Sequence, residues 1–432
     1  MKTLVSFEQR LGTACAVAQS ITSVLFTTPV RYLGDYLRWL KGRHETEREF
    51  NPHTIKSILL TRVDGLGDLV LFSSLVREVR LLWPHAHITL VVDQQFVSLV
   101  EQCPYVDEVI GFNERGSKYA RLFTGPRRAY KLAQQRLWQR QFDLAISPRW
   151  DLDTRHAAVL NFLSLPRYHF GFSETVSRRK RALNYGLDAL FTHVVLSKPG
   201  VRHEIERNSE LLAALGGNPA RIHSLELWLS DSDRFYARQI LAENGVAARQ
   251  PLICLGIGAT EAKRRWPIER FSALADWLVE TYGARILVVG DSMDARNAEH
   301  MRAILGPAMI NQAGVCTVRQ SAALLSFCHA FIGNDSGPMH LAAASGVAVI
   351  ELSCHPKSAA QDHINSPHRY APLAGWAHVM QPAPLSEECQ MGCNDAEAHC
   401  ILNLHLSDVK DVSNELMSER LHTRQSVATA GA

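Results

Sequence analysis

Nothing in this sequence leans far to one side. Lysine and arginine total 46 against 43 aspartates and glutamates, a formal net charge of only +3, so no general basic field marks the chain for nucleic acid. A convincing membrane span is missing. Leu11–Val30 carries no charge over twenty positions, but Thr13, Gln19, Ser20, Thr22, Ser23, Thr27, Thr28 and Pro29 make it too polar to read as one. The opening MKTLVSFEQR meets Glu8 and Arg10 before an apolar core can form, so no secretory signal is expected. Short-period repeats are absent, and the only low-complexity tract is SVATAGA at 426–432. The familiar signatures fall short as well. Gly65–Val70 (GLGDLV) offers G-x-G without the third glycine of a dinucleotide fingerprint, and HEIER (His203–Arg207) lacks the second histidine of a zinc-protease helix.

What is present is the mixture of a soluble globular chain. Apolar residues make up 46% and charged residues 21% of 432 residues, a length that suggests two or three domains. Residues 1–50 read as an N-terminal helical extension. Within it, RYLGDYLRWLKGR (Arg31–Arg43) puts Leu33, Tyr36, Leu37 and Leu40 on one helical face, with Trp39 nearby and mostly basic charges. This helix either packs on the main body or lies on an anionic membrane surface. From Thr54 the apolar runs IKSILLT, HITLVVD, VDEVIGF and FDLAISP alternate with helical stretches such as Leu69–Leu82 and Arg128–Gln141, and SLELWLS (Ser224–Ser230) reads as a later strand. A second series runs PLICLGIGA, ARILVVG, HAFIGND and AVIELS, with helices at IERFSALADWLVETYG and PMHLAAASG. Such alternation implies parallel sheets with right-handed crossovers. Two series imply an α/β protein of two doubly wound domains, 51–230 and 231–420, facing across a cleft at their strand C-termini, with 421–432 a flexible tail.

Four features at strand ends could carry chemistry. The first is RVDGLGDLV, where Gly65 and Gly67 give backbone freedom and Asp68 stands at the mouth of a helix. A carboxylate there would repel phosphate, so anion binding is not its purpose. It either merely caps the helix or also serves as a general base, since a helix N-terminus favours the ionised state that a base needs. Asp64 is the nearby competitor. The second is GNDSGPMHLAAASG (Gly333–Gly346). Here a strand ends at Asp335, Ser336 and Gly337 turn the chain, and Pro338 begins a helix, leaving backbone N–H groups and the Ser336 hydroxyl as an anion cradle. The third is GATEAKRRWP (Gly258–Pro267), whose Lys263, Arg264 and Arg265 could neutralise a leaving diphosphate or simply be solvated. The fourth is GDSMDARNAE (Gly290–Glu299), where Asp291 or Asp294 could accept from ribose hydroxyls or cap a helix.

Weaker features complete the set. DLD (Asp151–Asp153) matches a metal-holding DxD pattern only in its three letters. GPRRAYK (Gly125–Lys131) and SRRKR (Ser177–Arg181) could meet acidic groups of an acceptor, or could be solvated. Nine scattered cysteines suit a reducing compartment, the cytoplasm. Three of them, Cys389, Cys393 and Cys400, cluster with C-x3-C-x6-C spacing, which is looser than standard zinc-finger pairs. With His399 or Cys354 as a fourth ligand they could hold a structural metal, and otherwise they are packed free thiols.

The stretches LLTRVDGLGDLVLFSSLVREVRLLWPHAHITLVV, HEIERNSELLAALG, KRRWPIERFSALADWL and FIGNDSGPMHLAAASGVAVI, in this order and spacing, resemble glycosyltransferase family 9, which contains the ADP-heptose:lipopolysaccharide heptosyltransferases. The likeness runs from about Ile55 to Val412 and includes ECQMGCNDAEAHCILNLHLSDV, similar to a cysteine-bearing segment of many members. The resemblance implies a GT-B architecture of two Rossmann-like domains. It implies inverting transfer of heptose from ADP-heptose to a lipopolysaccharide core or lipid A precursor, with no cofactor and no catalytic metal. By motif position it makes Asp68 the catalytic base. The family's basic residue falls on Arg264, with Lys263 as the alternative. Asp335, Ser336, Gly337, Pro338, Met339 and His340 fall in the donor-diphosphate loop. Two departures stand out: arginine replaces the family's usual lysine at 264, and CHPKSAAQD follows AVIELS where many members have a Gly-Pro turn. The expected place of action is the cytoplasm or the inner face of the inner membrane. Alternatives are a family 9 enzyme using another nucleotide sugar or a protein acceptor, a nicotinamide-dependent oxidoreductase, and a non-catalytic nucleotide-sugar binding protein.

Overall fold

Apolar runs of four to seven residues that end in glycine or a small polar residue are the right length for buried strands, and most of those in this chain become one. The computed structural model describes residues 27–38, 49–113, 118–393 and 395–430. Among these residues, twelve strands form two six-stranded sheets, parallel throughout. The first sheet holds β1 (Ser57–Arg62), β2 (His87–Asp93), β3 (Glu108–Phe112), β4 (Leu144–Ser147), β5 (Tyr168–Phe172) and β6 (His193–Val195), in the order β3-β2-β1-β4-β5-β6. The second holds β7 (Leu252–Gly256), β8 (Arg285–Val288), β9 (Met309–Asn311), β10 (Ala330–Asn334), β11 (Ala348–Leu352) and β12 (Ala377–Met380), in the order β12-β11-β10-β7-β8-β9. In each, the chain starts in the middle, fills one side and then the other, which is the doubly wound pattern. Helices cover both sheets, and each has its own apolar core. The first is built on Leu59, Val91, Ile110, Phe142 and Phe162, the second on Ile253, Trp266, Phe271, Leu278, Ile332 and Ile350. The fold is the expected two-domain α/β class.

The chain separates into two compact units. One takes in the chain up to Asp64 with Phe72–Gly200 and Ile205–His223. The other takes in Gly65–Leu71, Val201–Glu204 and the chain from Ser224.

Several expected elements come out differently. SLELWLS is not a strand: Ser224–Ser230 is half-buried and belongs to neither sheet. Its last residue caps the next helix, Asp231–Glu243, with Ser230 Oγ accepting from the Asp233 N–H while Asp233 accepts the Ser230 N–H. The sheet's real last strands are β5 and β6. All five residues of β5 are buried, so it shows no alternation, and His169 and Gly171 interrupt its apolar run. The helix expected at Arg128–Gln141 runs Lys118–Leu132 and passes into a wider turn at Ala133–Leu137. Of the N-terminal extension, residues 27–38 are helical, while Trp39 and Leu40 lie outside the described residues. The side that packs is Gly34, backed directly by Phe162, with the Arg38 guanidinium 4.6 Å over the same ring. Tyr32, Leu33 and Tyr36 are exposed instead of packed. No described helix is long and apolar enough to cross a membrane. The last helix, Leu406–Ala430, continues through 421–430, the stretch expected as a tail.

Candidate active site

The cradle begins with the central strand of the second sheet. β10 is buried along its whole length between β7 and β11, and Gly333 lies opposite Gly256 so closely that a methyl on Gly333 would be 2.5 Å from the Gly256 Cα. Asn334, fully buried at the strand's end, then ties two loops together. Its amide donates to the Ile257 carbonyl at 2.8 Å, and its Oδ1 accepts the Trp266 N–H at 3.0 Å. The basic loop after β7 is thereby fixed beside the loop after β10. Ser336 precedes α1 (Gly337–Ala344) with extended backbone but makes no side-chain cap bond, and its Oγ is buried with no hydrogen-bond partner in the protein. An unmatched buried hydroxyl at a helix N-terminus is the geometry of a site for an anionic group.

The cations divide their roles. Arg264 Nη1 lies 3.2 Å from Asp335 Oδ2, its Nη2 donates to Asn365 Oδ1 at 2.6 Å, and its Nε lies 3.3 Å from Glu261. Lys263 instead sits 3.7 Å from Glu261, and Arg265 donates to the Ala259 carbonyl. Burial opposes the charge on Arg264, but Asp335 and Glu261 outweigh it and hold the guanidinium firmly protonated. Behind Asp335, Glu351 of β11 is buried and its carboxyl is pushed well above the usual range, first by desolvation and then by the Asp335 charge.

The glycine loop also belongs to this unit. Its helix, longer than expected, starts at Leu66 and runs to Leu82, so Asp68 sits in the first turn and not ahead of it. Its Oδ2 accepts the Gly65 N–H at 3.3 Å, a local bond that satisfies a helix-terminal donor. Gly67 and Gly337 are both required by close approach. A methyl on Gly67 would be 2.4 Å from the His340 ring, and one on Gly337 would be 2.7 Å from Leu66. His340 is buried with Nδ1 unpartnered. Desolvation lowers its pKa to about 4 against the opposing pull of Asp335 and Asp68, so the ring is neutral near pH 7. Met339 is core packing. Gly65, Gly67, Asp68, His340, Asp335, Ser336 and Arg264 are thus neighbours.

The other candidates fall elsewhere. Asp64 is clamped by two arginines of the first unit, Arg62 at 3.2 Å and Arg149 at 3.7 Å. Asp291 and Asp294 form a reciprocal capping box on the helix Ser292–Leu305, with the Asp294 carboxylate pressed on Gly258 and Gly290 at the ends of β7 and β8. Asp153 caps the helix Ala157–Leu163 through the Ala157 and Ala158 N–H groups, and Asp151 accepts from Leu152. In SRRKR, Lys180 points inward to the Phe172 carbonyl at 2.9 Å. Asn334 and Glu261 lie inside motifs singled out above without being given a role, Glu351 lies in a strand run, and Asn365 had no sequence signal; only Asn334, the residue before Asp335 at a strand end, could have been inferred.

A model of glycosyltransferase family 9 (heptosyltransferase) matches residues 129–355. Lipopolysaccharide heptosyltransferase 2 of Salmonella typhimurium is 25% identical over 308 residues, covering 68% of this chain and 82% of its own. The glycosyl transferase family 9 structure from Veillonella parvula superposes with a TM-score of 0.69 at 22% identity, covering 86% of this chain and 99% of its own. The E. coli ADP-heptose lps heptosyltransferase II gives 0.61 at 19% identity, covering 86% and 100%. Both share the fold.

Proposed function

The chain belongs to glycosyltransferase family 9 (heptosyltransferase), and on that premise we propose that it transfers a heptose from ADP-heptose to a lipopolysaccharide core acceptor with inversion and without a catalytic metal. Asp68 takes the proton from an acceptor hydroxyl as that oxygen attacks the anomeric carbon. The bond from that carbon to the diphosphate breaks, and ADP leaves with the electron pair. The departing charge is met by the N–H groups opening α1, the Ser336 hydroxyl and the Arg264 guanidinium, which are fixed before reaction and need no reorganisation. The observation that carries this reading is the buried, unpartnered Ser336 Oγ beside the Arg264–Asp335 pair. The roles of Lys263, Pro338, Asp291 and Asp294 in donor binding, and of Asp64 on the acceptor side, are secondary to it. A second reading, another nucleotide sugar in the same cradle, rests on the CHPKSAAQD loop, which stands where many family members have a Gly-Pro turn.

The test is Asp68→Asn. Asparagine keeps an oxygen for the Gly65 N–H, so the fold should survive. Loss of a general base should lower turnover by about 10²–10⁴ while leaving ADP binding intact. Turnover within threefold of wild type would remove Asp68 from the chemistry. Thermal shift against ADP, ADP-heptose, UDP-glucose, GDP-mannose and NADH separates the donors, because a ligand of the folded state raises the melting temperature by mass action. A response to UDP- or GDP-sugars alone would replace the donor.

A further inference from the structure

We propose that Cys389, Cys393, His399 and Cys400 bind one tetrahedral zinc ion. The ligand atoms of these four residues all lie within 4.8 Å of one another, and the three thiols are buried as a separate cluster. His399 Nδ1 lies 3.6, 3.7 and 3.4 Å from the sulfurs of Cys389, Cys393 and Cys400. A tetrahedral ion with Zn–S of about 2.3 Å and Zn–N of about 2.05 Å sets nitrogen and sulfur about 3.6 Å apart. Hydrogen bonding alone does not account for this convergence. One ring nitrogen carries either one proton or one lone pair, so it cannot bond three sulfurs at once. A metal at their common centre uses all four donors, and a three-sulfur, one-nitrogen set is that of a closed structural zinc site. Cys354, the other candidate for fourth ligand, is not in the group.

The chain around the cluster is built to hold it in place. Gly392, at φ +113, has a backbone conformation that suits glycine, and a methyl there would be 2.5 Å from the His363 ring. His363 Nδ1 accepts the Asn365 N–H at 3.2 Å, and Asn365 in turn receives Arg264. The cluster's loop therefore abuts the residues that hold the cation of the candidate active site.

Elemental analysis of the full chain, purified without chelator, should find about one zinc per chain. Cys393→Ser should lose it, and Cys316→Ser, a thiol outside the cluster, should keep it. A titration of reduced, metal-free wild type with Co²⁺ should develop thiolate-to-metal charge-transfer absorption that saturates at one equivalent and is bleached by Zn²⁺. The titration needs no variant, so a misfolded mutant cannot hide the answer. Iron at the same stoichiometry would overturn the choice of zinc. Less than about a tenth of a metal per chain, together with no cobalt–thiolate band, would overturn the site itself.

Discussion

Arg264 is where the proposed mechanism is most exposed to refutation. Its guanidinium reaches three acceptors at once, Asp335, Asn365 and Glu261. Arg264→Met keeps the bulk of the stem and removes all three contacts together with the charge. Removing a preorganised group that stabilises developing negative charge costs about 10²–10³ in turnover, or about 2.7–4 kcal/mol. Because Asp335 already offsets part of the charge in the ground state, the low end is expected. Arg264→Lys keeps the charge, but an ammonium on a flexible stem cannot reproduce a planar fork. Losing one charge-assisted hydrogen bond costs about 1.5–3 kcal/mol. Because the charge is retained, the low end applies, and at about 1.36 kcal/mol per decade the lysine variant should lose about tenfold. Turnover therefore falls from arginine to lysine to methionine. The assay is ADP release at saturating ADP-heptose and core acceptor, with melting curves to show that each variant is folded. Arg264→Met within threefold of wild type, or a greater loss from Lys263→Met, would refute the assignment and move the cation to Lys263.

Ser336→Ala should leave the melting temperature unchanged, since the hydroxyl has no partner to lose, yet weaken ADP binding about ten- to 100-fold by calorimetry if that hydroxyl meets a charged diphosphate; unaltered affinity would remove it from the cradle. Gly333→Ala drives a methyl against the backbone of β7 and should destabilise by at least about 1–3 kcal/mol, seen as a lower denaturant midpoint. Burial lowers His169 to about 3 and His340 to about 4. Between about pH 6.5 and 4 the unfolded chain therefore binds protons at these rings that the folded chain does not. Their contribution to stability is full above pH 6.5 and falls on acidification by about 1.4 kcal/mol per pH unit for each ring. His340→Gln should reduce that slope in urea melts at pH 5–6.5, and an unchanged slope would show that His340 is not excluded from protonation.

The fold was legible wherever a strand's own residues declared it. ILLTR, TLVVD, LICLG and AFIGN are apolar runs closed by a turn, and the parallel arrangement followed from the helices between them. Legibility failed where tertiary context decides. Ser224–Ser230 alternates as well as any strand, but it joins neither sheet and leads into a capped helix. β12 (AHVM) pairs along β11 although its first residues are exposed, and four residues carry too little pattern to separate an edge strand from a loop. The N-terminal helix was readable as a helix, but its packing side was not. A glycine can let a helix approach an aromatic ring more closely than any leucine could, and Gly34 against Phe162 leaves no trace in an apolar stripe.

The candidate site divides along the same line, and the division explains its electrostatics. The motif residues were visible because turns, glycines and a proline constrain the backbone locally. What neutralises them was not. A cradle for a diphosphate that contains Asp335 looks self-defeating in sequence. In the folded chain Asp335 is paired with Arg264, Glu351 is driven towards its neutral form by burial and by that same aspartate, and His340 is neutral. The buried groups behind the loop therefore sum to almost no net charge. Under the proposed function, attraction for an anion then falls to the half-buried N-terminus of α1 and the Ser336 hydroxyl, which are directional, while Arg264 is held in place by two acids and an amide instead of being free to collapse onto the ligand. On this reading Asp335 acts as the partner that aims the guanidinium and not as a flaw in the anion site. Of the residues that complete the arrangement, Glu261 lies three positions before Arg264 in the same loop, while Asn365 lies 101 positions beyond it, and only the fold brings that amide in.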